Sequence, residues 1–333
     1  MKKNIVIICL TLILLFLLAL YLRTITNPEL QKKTQILMDT YCTITVPGGP
    51  ESIAAIDKAF ARMREVDQKF SIGNSLNAIS AFNERNIPID DAEIANVVRV
   101  AIKYSEIMDG AFDITIEPLV RLWGFYGEEA QHVPDIREIQ KRLPLVNYHF
   151  LKVGGNIVIK TIPGVGVDFG GIAKGYAVQQ AVKVLREQGI KSALIDAGGQ
   201  IYTLGLYQGK EWKIGVKHPR NEGVMSGLKI SDMSAATSGD YQRFFIEKGV
   251  RYCHLINPRT GFPGSDIIGI TVIHPDPMIA DVLSKSFILG KDKALKLINS
   301  IPEADCILMT NTNEIYYSDK IKKRLLKLNT ITH

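Results

Sequence analysis

VDFGGIAKGYA, residues Val167 to Ala177, is the stretch of this 333-residue chain that is most informative about its fold. Hydrophobic residues lead into Asp168, the glycine pair 170–171 follows, and helix-forming residues continue beyond it. The pattern predicts a strand that turns on the two glycines and enters a helix over Ile172 to Gln188, which ends at Gly189.

The same turn is a candidate site for a phosphate group. Glycines let a backbone approach a ligand closely, the N–H groups at a helix start point outward, and Lys174 adds a point charge. The common nucleotide signatures are absent, because Gly164-Val-Gly166 lacks the third glycine of GxGxxG and no GxxxxGK[ST] occurs. A diphosphate site and an ordinary turn both remain compatible with this stretch.

Helical and strand patterns interleave on both sides of it. Residues 24–34 are predicted as a polar linker, and Ile36 to Val46 as a strand ending at a Pro-Gly-Gly-Pro turn. The other predicted helices are Glu51 to Gln68, Asp91 to Met108, a short one near Pro134, and Met278 to Leu289. Strands are predicted at Ile157 to Asp168, Ser192 to Asp196, Ile201 to Leu204, Trp212 to Lys217 and Ile268 to His274, with a hairpin at Ile307 to Tyr317. This order predicts a mixed α/β (α+β) fold in one unit, residues 35–333.

Composition excludes several protein classes. With 46% hydrophobic and 22% charged residues, the chain is neither disordered nor a coiled coil. Its net charge is +6, but eight of its 40 bases lie at the two ends, and the body keeps 32 bases against 34 acids. We therefore expect no nucleic-acid partner.

The N-terminus carries a membrane signal. Asn4 to Leu22 is 19 uncharged, apolar residues, preceded by Lys2 and Lys3, and would span about 28 Å as a helix. No small-x-small cleavage site follows Leu22. We predict that residues 1–23 are an uncleaved anchor in the cell membrane, with the rest of the chain on the extracytoplasmic side.

The cysteines do not indicate a metal or redox site. Cys9 lies inside the apolar run, and Cys42, Cys253 and Cys306 form no CxxC pair. We predict that the last three are buried small hydrophobes.

Further segments combine aromatic and polar residues. Gly110-Ala-Phe-Asp113 with Trp123-Gly-Phe125 either covers a planar ring or is ordinary core. In the run Tyr252 to Pro263, His254 is either a base or a structural residue.

Asp281 and Lys285 lie four residues apart and so share one face of a helix. They are either an exposed ion pair, or Asp281 offers an oxygen to a hard cation such as Mg²⁺.

Taken in order, these segments resemble the FAD:protein FMN transferase family, also called the ApbE or flavin transferase family. The matching segments are Met38-Asp-Thr40, Phe70-Ser71 with Ile79-Ser-x-x-Asn83, GAFDITIEPLVRLWGF, VDFGGIAKGYA, DAGGQIYTLG, ATSGDY, HLINPRTGFP and ADVLSKSFILG. They run from Gln35 to Gly290, and agreement of all of them by chance is not credible.

The resemblance implies a membrane-tethered enzyme whose α/β fold is related to T-fold domains. It implies FAD as a substrate, Mg²⁺ as a cofactor, and transfer of the FMN half of FAD to a threonine or serine hydroxyl with release of AMP. The implied partner is an acceptor flavoprotein, a membrane or exported protein of electron transport.

The resemblance also implies site residues. The flavin site would be lined by Met38, Phe70, Ala111, Phe112, Asp113 and Ile256. Asp168 and Lys174 would contact FAD near its ribose and phosphates, and the cation would be held by Gly171, Asp281 and the residue at 285. With the cation, Lys174 would neutralise charge on the diphosphate, and His254 is the candidate base.

Two positions depart from the family pattern. Lys285 stands where the family commonly has threonine, and a protonated lysine cannot ligate a metal. Either Lys285 replaces a metal charge, or another group such as Ser284 completes the site. Asn257 stands where aspartate is usual, which weakens any acid role there.

Two other functions fit the same segments. A Mg²⁺-dependent FAD diphosphatase would use water in place of the acceptor hydroxyl and give FMN and AMP. The second alternative is a membrane-anchored protein that binds FAD without turnover. Lys285 is the best argument from the sequence for this alternative.

Overall fold

The computed structural model describes residues 12–14, 29–126 and 130–326, where an antiparallel sheet is packed against helices. In chain order the strands are β1 (Leu30–Leu37), β2 (Thr40–Pro47), β3 (Ile89–Asp90), β4 (Leu151–Gly154), β5 (Ile157–Lys160), β6 (Ala193–Ala197), β7 (Gln200–Leu204), β8 (Trp212–Lys217), β9 (Val224–Ile230), β10 (Met233–Gly239), β11 (Phe244–Glu247), β12 (Val250–Cys253), β13 (Ile267–His274), β14 (Asp305–Thr310) and β15 (Ile315–Tyr317). The main sheet has the order β1-β2-β6-β7-β10-β13-β14-β15, and every pair in it is antiparallel.

Between residues 29 and 326 the α-helices are α1 (Pro50–Phe70), α2 (Ala78–Arg85), α3 (Ala92–Ile107), α4 (Glu117–Leu122), α5 (Ile136–Arg142), α6 (Ala173–Glu187), α7 (Pro277–Ser284) and α8 (Lys291–Ser300). Some of them begin at a capping residue that the sequence provides. Asp91 caps α3 and Asp276 caps α7, each accepting two backbone N–H groups of the first turn. A 3₁₀ turn, Lys285–Leu289, continues directly from α7.

Hydrophobic clusters cover both faces of the sheet. One joins the strands to α1, α6 and α7, and the other joins them to the β8–β9 hairpin. β13 is therefore buried along its whole length: Ile270 and Val272 belong to the helical cluster, whereas Ile273 packs with the hairpin. The predicted mixed α/β fold is confirmed.

A third cluster surrounds Trp123. The indole is fully buried among Leu119, Ile139 and Ile256, and its Nε1 donates to the Gly261 carbonyl over 2.9 Å. Trp123 is thus a core residue.

The strand predicted over Ile36 to Val46 is confirmed from Thr40 to the Pro-Gly-Gly-Pro turn, but its start is wrong, because the chain forms a hairpin there. β1 ends at Leu37, and Met38 and Asp39 make the turn with φ of 52° and 57°. β1 also begins at Leu30, inside the segment 24–34 that we predicted as a linker, because pairing with β2 from Leu30 to Leu37 satisfies its backbone groups.

Two other predicted elements are shorter than expected. The strand predicted over Ile157 to Asp168 ends at Lys160, because Pro163 and Gly164, the latter at φ 84°, turn the chain away. The helix predicted over Met278 to Leu289 stays α-helical only to Ser284. There Ser284 Oγ and Lys285 Nζ both donate to the Asp281 carbonyl, so side chains compete for a helical acceptor.

Cys42, Cys253 and Cys306 are free, buried thiols, as predicted. Across residues 12–14, 29–126 and 130–326, none of the helices is both long and apolar enough to cross a bilayer. The predicted anchor, residues 1–23, lies outside the described residues except for 12–14, and it stays a prediction.

Candidate active site

A cleft of about 1210 Å³ opens where several chain turns meet. It is bordered by the β1–β2 turn, the C-terminal end of α1, the entrance to α6, the β6–β7 turn and the segment after β12. The predicted site residues that line it are Met38, Phe70, Ala111, Phe112, Asp113, Asp168, Gly171, Lys174, His254, Ile256 and Lys285. Asp281 is not among the lining residues, and it is 2% exposed.

One wall of the cleft is apolar, and packing and a hydrogen bond hold its residues in place. The Met38 N–H donates to Asp67 Oδ2 over 3.1 Å, which holds the hairpin turn against α1. Phe70 packs edge-on against Phe169 and Tyr176, with ring centroids 5.2 and 5.6 Å apart. Such a wall is suited to the face of a planar ring.

Asp113 lines the cleft, but its carboxylate oxygens already have protein partners. Oδ1 accepts from the backbone N–H and the hydroxyl of Thr115, and Oδ2 accepts from the Tyr148 N–H over 2.8 Å. Burial raises the pKa of this carboxyl group. Asp113 therefore fixes the shape of the loop around Phe112.

The entrance to α6 carries the glycine pair of the opening motif. Asp168 Oδ1 accepts the Gly170 N–H over 2.6 Å, which closes the turn. Lys174 lies in the first turn of α6, half-buried, with its Nζ 3.4 Å from the Gly170 carbonyl. A Cβ on Gly171 would lie 3.0 Å from Phe112 Cε2 and 3.3 Å from Lys285 Cε, so only glycine fits between these side chains without displacing them.

His254 presents one ring nitrogen as an acceptor. Its Nδ1 lies 3.2 Å from the Arg243 carbonyl, and this contact favours the tautomer with the proton on Nδ1. Burial lowers the pKa of the imidazole to about 3, and the charges of Lys174, Arg243 and Lys285 add to that effect. His254 is therefore neutral near pH 7, with Nε2 unprotonated.

Asp281 and Lys285 form an ion pair at the floor of the cleft, with 2.8 Å between Lys285 Nζ and Asp281 Oδ1. The side chains are 13% and 3% exposed for lysine and aspartate, so the exposed surface pair considered from the sequence is wrong. Burial lowers the pKa of Lys285, and the charge of Asp281 opposes that shift.

The donor set at Gly171, Asp281 and residue 285 does not fit a divalent cation. Asp281 Oδ1 accepts from Lys285, and Oδ2 accepts the Gly175 N–H over 2.9 Å, so both carboxylate oxygens are engaged. An ammonium group has no lone pair to offer a metal. Within the described ranges, no group of three or more His, Cys, Asp and Glu side chains could hold a metal ion either. Lys285 is thus not placed as the metal ligand that we predicted.

Sequence reasoning missed several lining residues, namely Tyr126, Asp196, Ser238 and Arg243. Asp196 lies in the DAGG segment and Ser238 in the ATSGDY segment. Both segments matched the family, but the sequence did not indicate which of their side chains line the site. Burial raises the pKa of Asp196 and, more strongly, that of Tyr126, where the charge of Asp168 adds to it. Arg243 has no motif of its own and enters the site through its contacts with His254 and Phe125.

Known proteins are similar to this chain in sequence and in fold. The profile of the ApbE family matches residues 38–308. A protein named FAD:protein FMN transferase from Haemophilus influenzae is 33% identical over 276 residues, 78% of each chain. One of the same name from Vibrio cholerae is 31% identical over 296 residues, 85% of this chain and 88% of that one.

Solved structures agree with the sequence matches. The ApbE protein of Thermotoga maritima superposes with a TM-score of 0.84 at 30% identity, covering 90% of this chain and 100% of that one. The flavin transferase ApbE of Vibrio cholerae superposes with a TM-score of 0.80 at 28% identity, covering 89% and 100%. The resemblance found in the sequence is thereby confirmed, and the chain belongs to the ApbE family.

Proposed function

We propose that this chain is an FAD:protein FMN transferase, which moves the FMN half of FAD onto a threonine or serine hydroxyl of an acceptor protein and releases AMP. The names of its relatives support this activity. The observation that carries it is the position of His254, whose Nε2 is free to accept a proton beside Lys174, Arg243 and Lys285. A base beside clustered positive charge suits attack of a hydroxyl on a diphosphate.

FAD is an elongated molecule with an apolar ring system and an anionic centre. We assign the apolar wall that includes Phe70 and Phe112 to the flavin ring, and the entrance to α6 to the ribose and phosphates. Met38, Ala111 and Ile256 complete the apolar side. The site thus separates an apolar subsite from a cationic one, as the two parts of this substrate require.

The chemical step is a phosphoryl-group transfer. The acceptor hydroxyl oxygen forms a bond to the phosphorus on the FMN side, and the P–O bond to the AMP phosphate breaks, with AMP keeping the electron pair. The hydroxyl proton passes to His254 Nε2. Lys174 and Arg243 stabilise the charge that develops on the phosphoryl oxygens and on AMP, so catalysis is mainly positioning and electrostatics.

No step of this mechanism is assigned to Mg²⁺, although the family resemblance of the sequence implied Mg²⁺ as a cofactor. Both carboxylate oxygens of Asp281 are already paired within the protein, and the Lys285 ammonium group has no lone pair to offer a metal. The positive charge in the mechanism is therefore assigned to side chains.

Mass spectrometry tests the transferase activity against both alternatives. The full chain is incubated with FAD, with and without an acceptor domain. A transferase leaves FMN covalently bound to a threonine or serine of the acceptor. A diphosphatase gives free FMN and AMP without acceptor, and a binding protein without turnover leaves FAD intact in both samples. Either of the last two outcomes rejects the proposal.

We also propose that residues 1–23 anchor the chain in the cell membrane, with the catalytic unit and its acceptor on the extracytoplasmic side. The apolar run Asn4 to Leu22 supports this arrangement. Protease added to intact cells after removal of the wall should digest the catalytic unit, and its full protection would reject the proposed orientation.

A further inference from the structure

The Lys285 ammonium group lies among oxygen atoms of the kind that bind hard cations. Its Nζ is 2.8 Å from Asp281 Oδ1, 3.0 Å from the Asp281 carbonyl, 3.0 Å from Ser284 Oγ and 3.3 Å from Ser238 Oγ. A carboxylate, a carbonyl and hydroxyls are typical donors for Mg²⁺ or Ca²⁺. Here a single positive charge of the protein itself takes their place.

The lysine side chain also crosses the space between the predicted ligands. Its Cε lies 3.3 Å from where a Cβ of Gly171 would be, and its Nζ reaches Asp281 beneath the cleft. The Lys285 side chain therefore occupies the space between Gly171 and Asp281, where the cation was predicted. Lys285 also lines the cleft, so its side chain lies within reach of a ligand bound there.

Charge balance at this site depends on the neighbouring bases. Mg²⁺ on one carboxylate leaves a charge of about +1, whereas the Asp281–Lys285 pair is neutral, so a lysine alone is a weaker replacement. Lys174 and Arg243 line the same cleft and contribute the positive charge that the pair lacks.

We propose that Lys285 replaces the divalent cation in this chain, donating a hydrogen bond to the FAD diphosphate, so that FMN transfer requires no divalent metal. This inference rests on the transferase activity proposed above. In this proposal the Lys285 ammonium group contacts the diphosphate of FAD. The longest contact of Lys285 Nζ, 3.3 Å to Ser238 Oγ, is the one most readily exchanged for a phosphate oxygen.

The test compares transfer by the metal-stripped full chain in EDTA and in Mg²⁺. The wild type should transfer FMN at rates within about twofold in the two conditions. K285T removes the ammonium group and frees Asp281 Oδ1, so it should lose about 10²-fold or more in EDTA and recover in Mg²⁺. K285R keeps the charge and should stay insensitive to EDTA, and K183T, at an exposed position on α6, should behave as the wild type. Loss of wild-type transfer in EDTA with recovery in Mg²⁺ overturns the inference.

Binding of Mn²⁺, followed by electron paramagnetic resonance on the protein without FAD, provides a readout that needs no transfer. K285T should bind one Mn²⁺ at this site and the wild type none, and D281N/K285T should bind none. Stoichiometric binding to the wild type that D281N abolishes overturns the inference. If no variant transfers FMN in any condition, the proposed function fails, while the Mn²⁺ comparison still decides the role of Lys285.

Discussion

The backbone N–H of Gly175 donates to Asp281 Oδ2 over 2.9 Å, and this bond ties the first turn of α6 to α7. The first N–H groups of a helix lack partners within it, and no side chain caps α6 at its N-cap residue, Ile172. Asp281 supplies an acceptor from another helix. The same carboxylate thus holds the entrance to α6 through Oδ2 and the cleft lysine through Oδ1.

At this contact α6 and α7 approach so closely that position 175 has no room for a side chain. A Cβ there would lie 2.3 Å from the Pro277 carbonyl oxygen and 2.7 Å from Met278 Cα, both in the backbone of α7. We expect Gly175→Ala to lower the free energy of unfolding by about 1–3 kcal/mol, as overpacking does, and to weaken FAD binding because the α6 entrance shifts. Chemical denaturation measures the first effect and flavin fluorescence the second.

Gly154→Ala is the matched control for that substitution. Gly154 lies on β4, its φ is not positive, and an added Cβ would meet no atom within 4 Å. Its stability should change by less than about 0.5 kcal/mol. Equal stability of the two variants would contradict the close approach of α6 and α7.

The ion pair at the cleft floor predicts strong coupling between its partners. Asp281→Asn keeps an acceptor for the Gly175 N–H but leaves the Lys285 charge unpaired, so we expect a loss of about 3 kcal/mol in the free energy of unfolding. In a Lys285→Met background the same change should cost about 1 kcal/mol or less. Urea denaturation of the four proteins gives the coupling energy, and equal costs in both backgrounds would show that the pair contributes no coupling.

The local motifs predicted more of the site than of the sheet. The glycine turn and helix at residues 167–188 were predictable because glycine and helix-forming residues act on their own neighbourhood. The β1–β2 hairpin was not, since its turn residues Met38 and Asp39 adopt positive φ without the Asn-Gly or Asp-Gly signal of such turns. β10, Met233–Gly239, was missed because its serines, alanines and glycine are poor strand formers, and its two neighbours in the sheet stabilise it.

The electrostatics of the site depend on tertiary contacts that cannot be predicted from the spacing of residues in the sequence. The four-residue spacing of Asp281 and Lys285 predicted a shared helix face, but not that the pair would be buried or that the Gly175 N–H would donate to the second carboxylate oxygen. Arg243 acts on His254 through its carbonyl and its charge, and nothing local in the sequence indicates either contact.

His254 should affect the chemical step more than substrate binding. Replacing it with asparagine removes the acceptor nitrogen Nε2, so we expect the transfer rate to fall about 10²- to 10⁴-fold. The dissociation constant of FAD should stay within about threefold, because a neutral imidazole contributes little to binding a diphosphate. His149→Asn, at an exposed position outside the cleft, should match the wild type in both measurements. Unchanged turnover of the His254 variant would remove it from the mechanism.

The low pKa of His254 predicts an unusual pH dependence. Because burial and the nearby positive charges lower this pKa from its ordinary value near 6.5 to about 3, the base stays unprotonated well into the acidic range. With FAD limiting, kcat/KM reports on the free enzyme and should stay flat from about pH 8 to pH 5, whereas an ordinary histidine base would lose activity about tenfold per pH unit below 6.5. Bound diphosphate stabilises the imidazolium, so kcat should begin to fall at a higher pH than kcat/KM. Lys174→Gln removes one of the charges that lower the pKa, and it should shift the acidic limb of kcat/KM upward. A wild-type kcat/KM that already declines through pH 6.5 would mean that His254 is solvated like a surface histidine, and the proton would then need another acceptor.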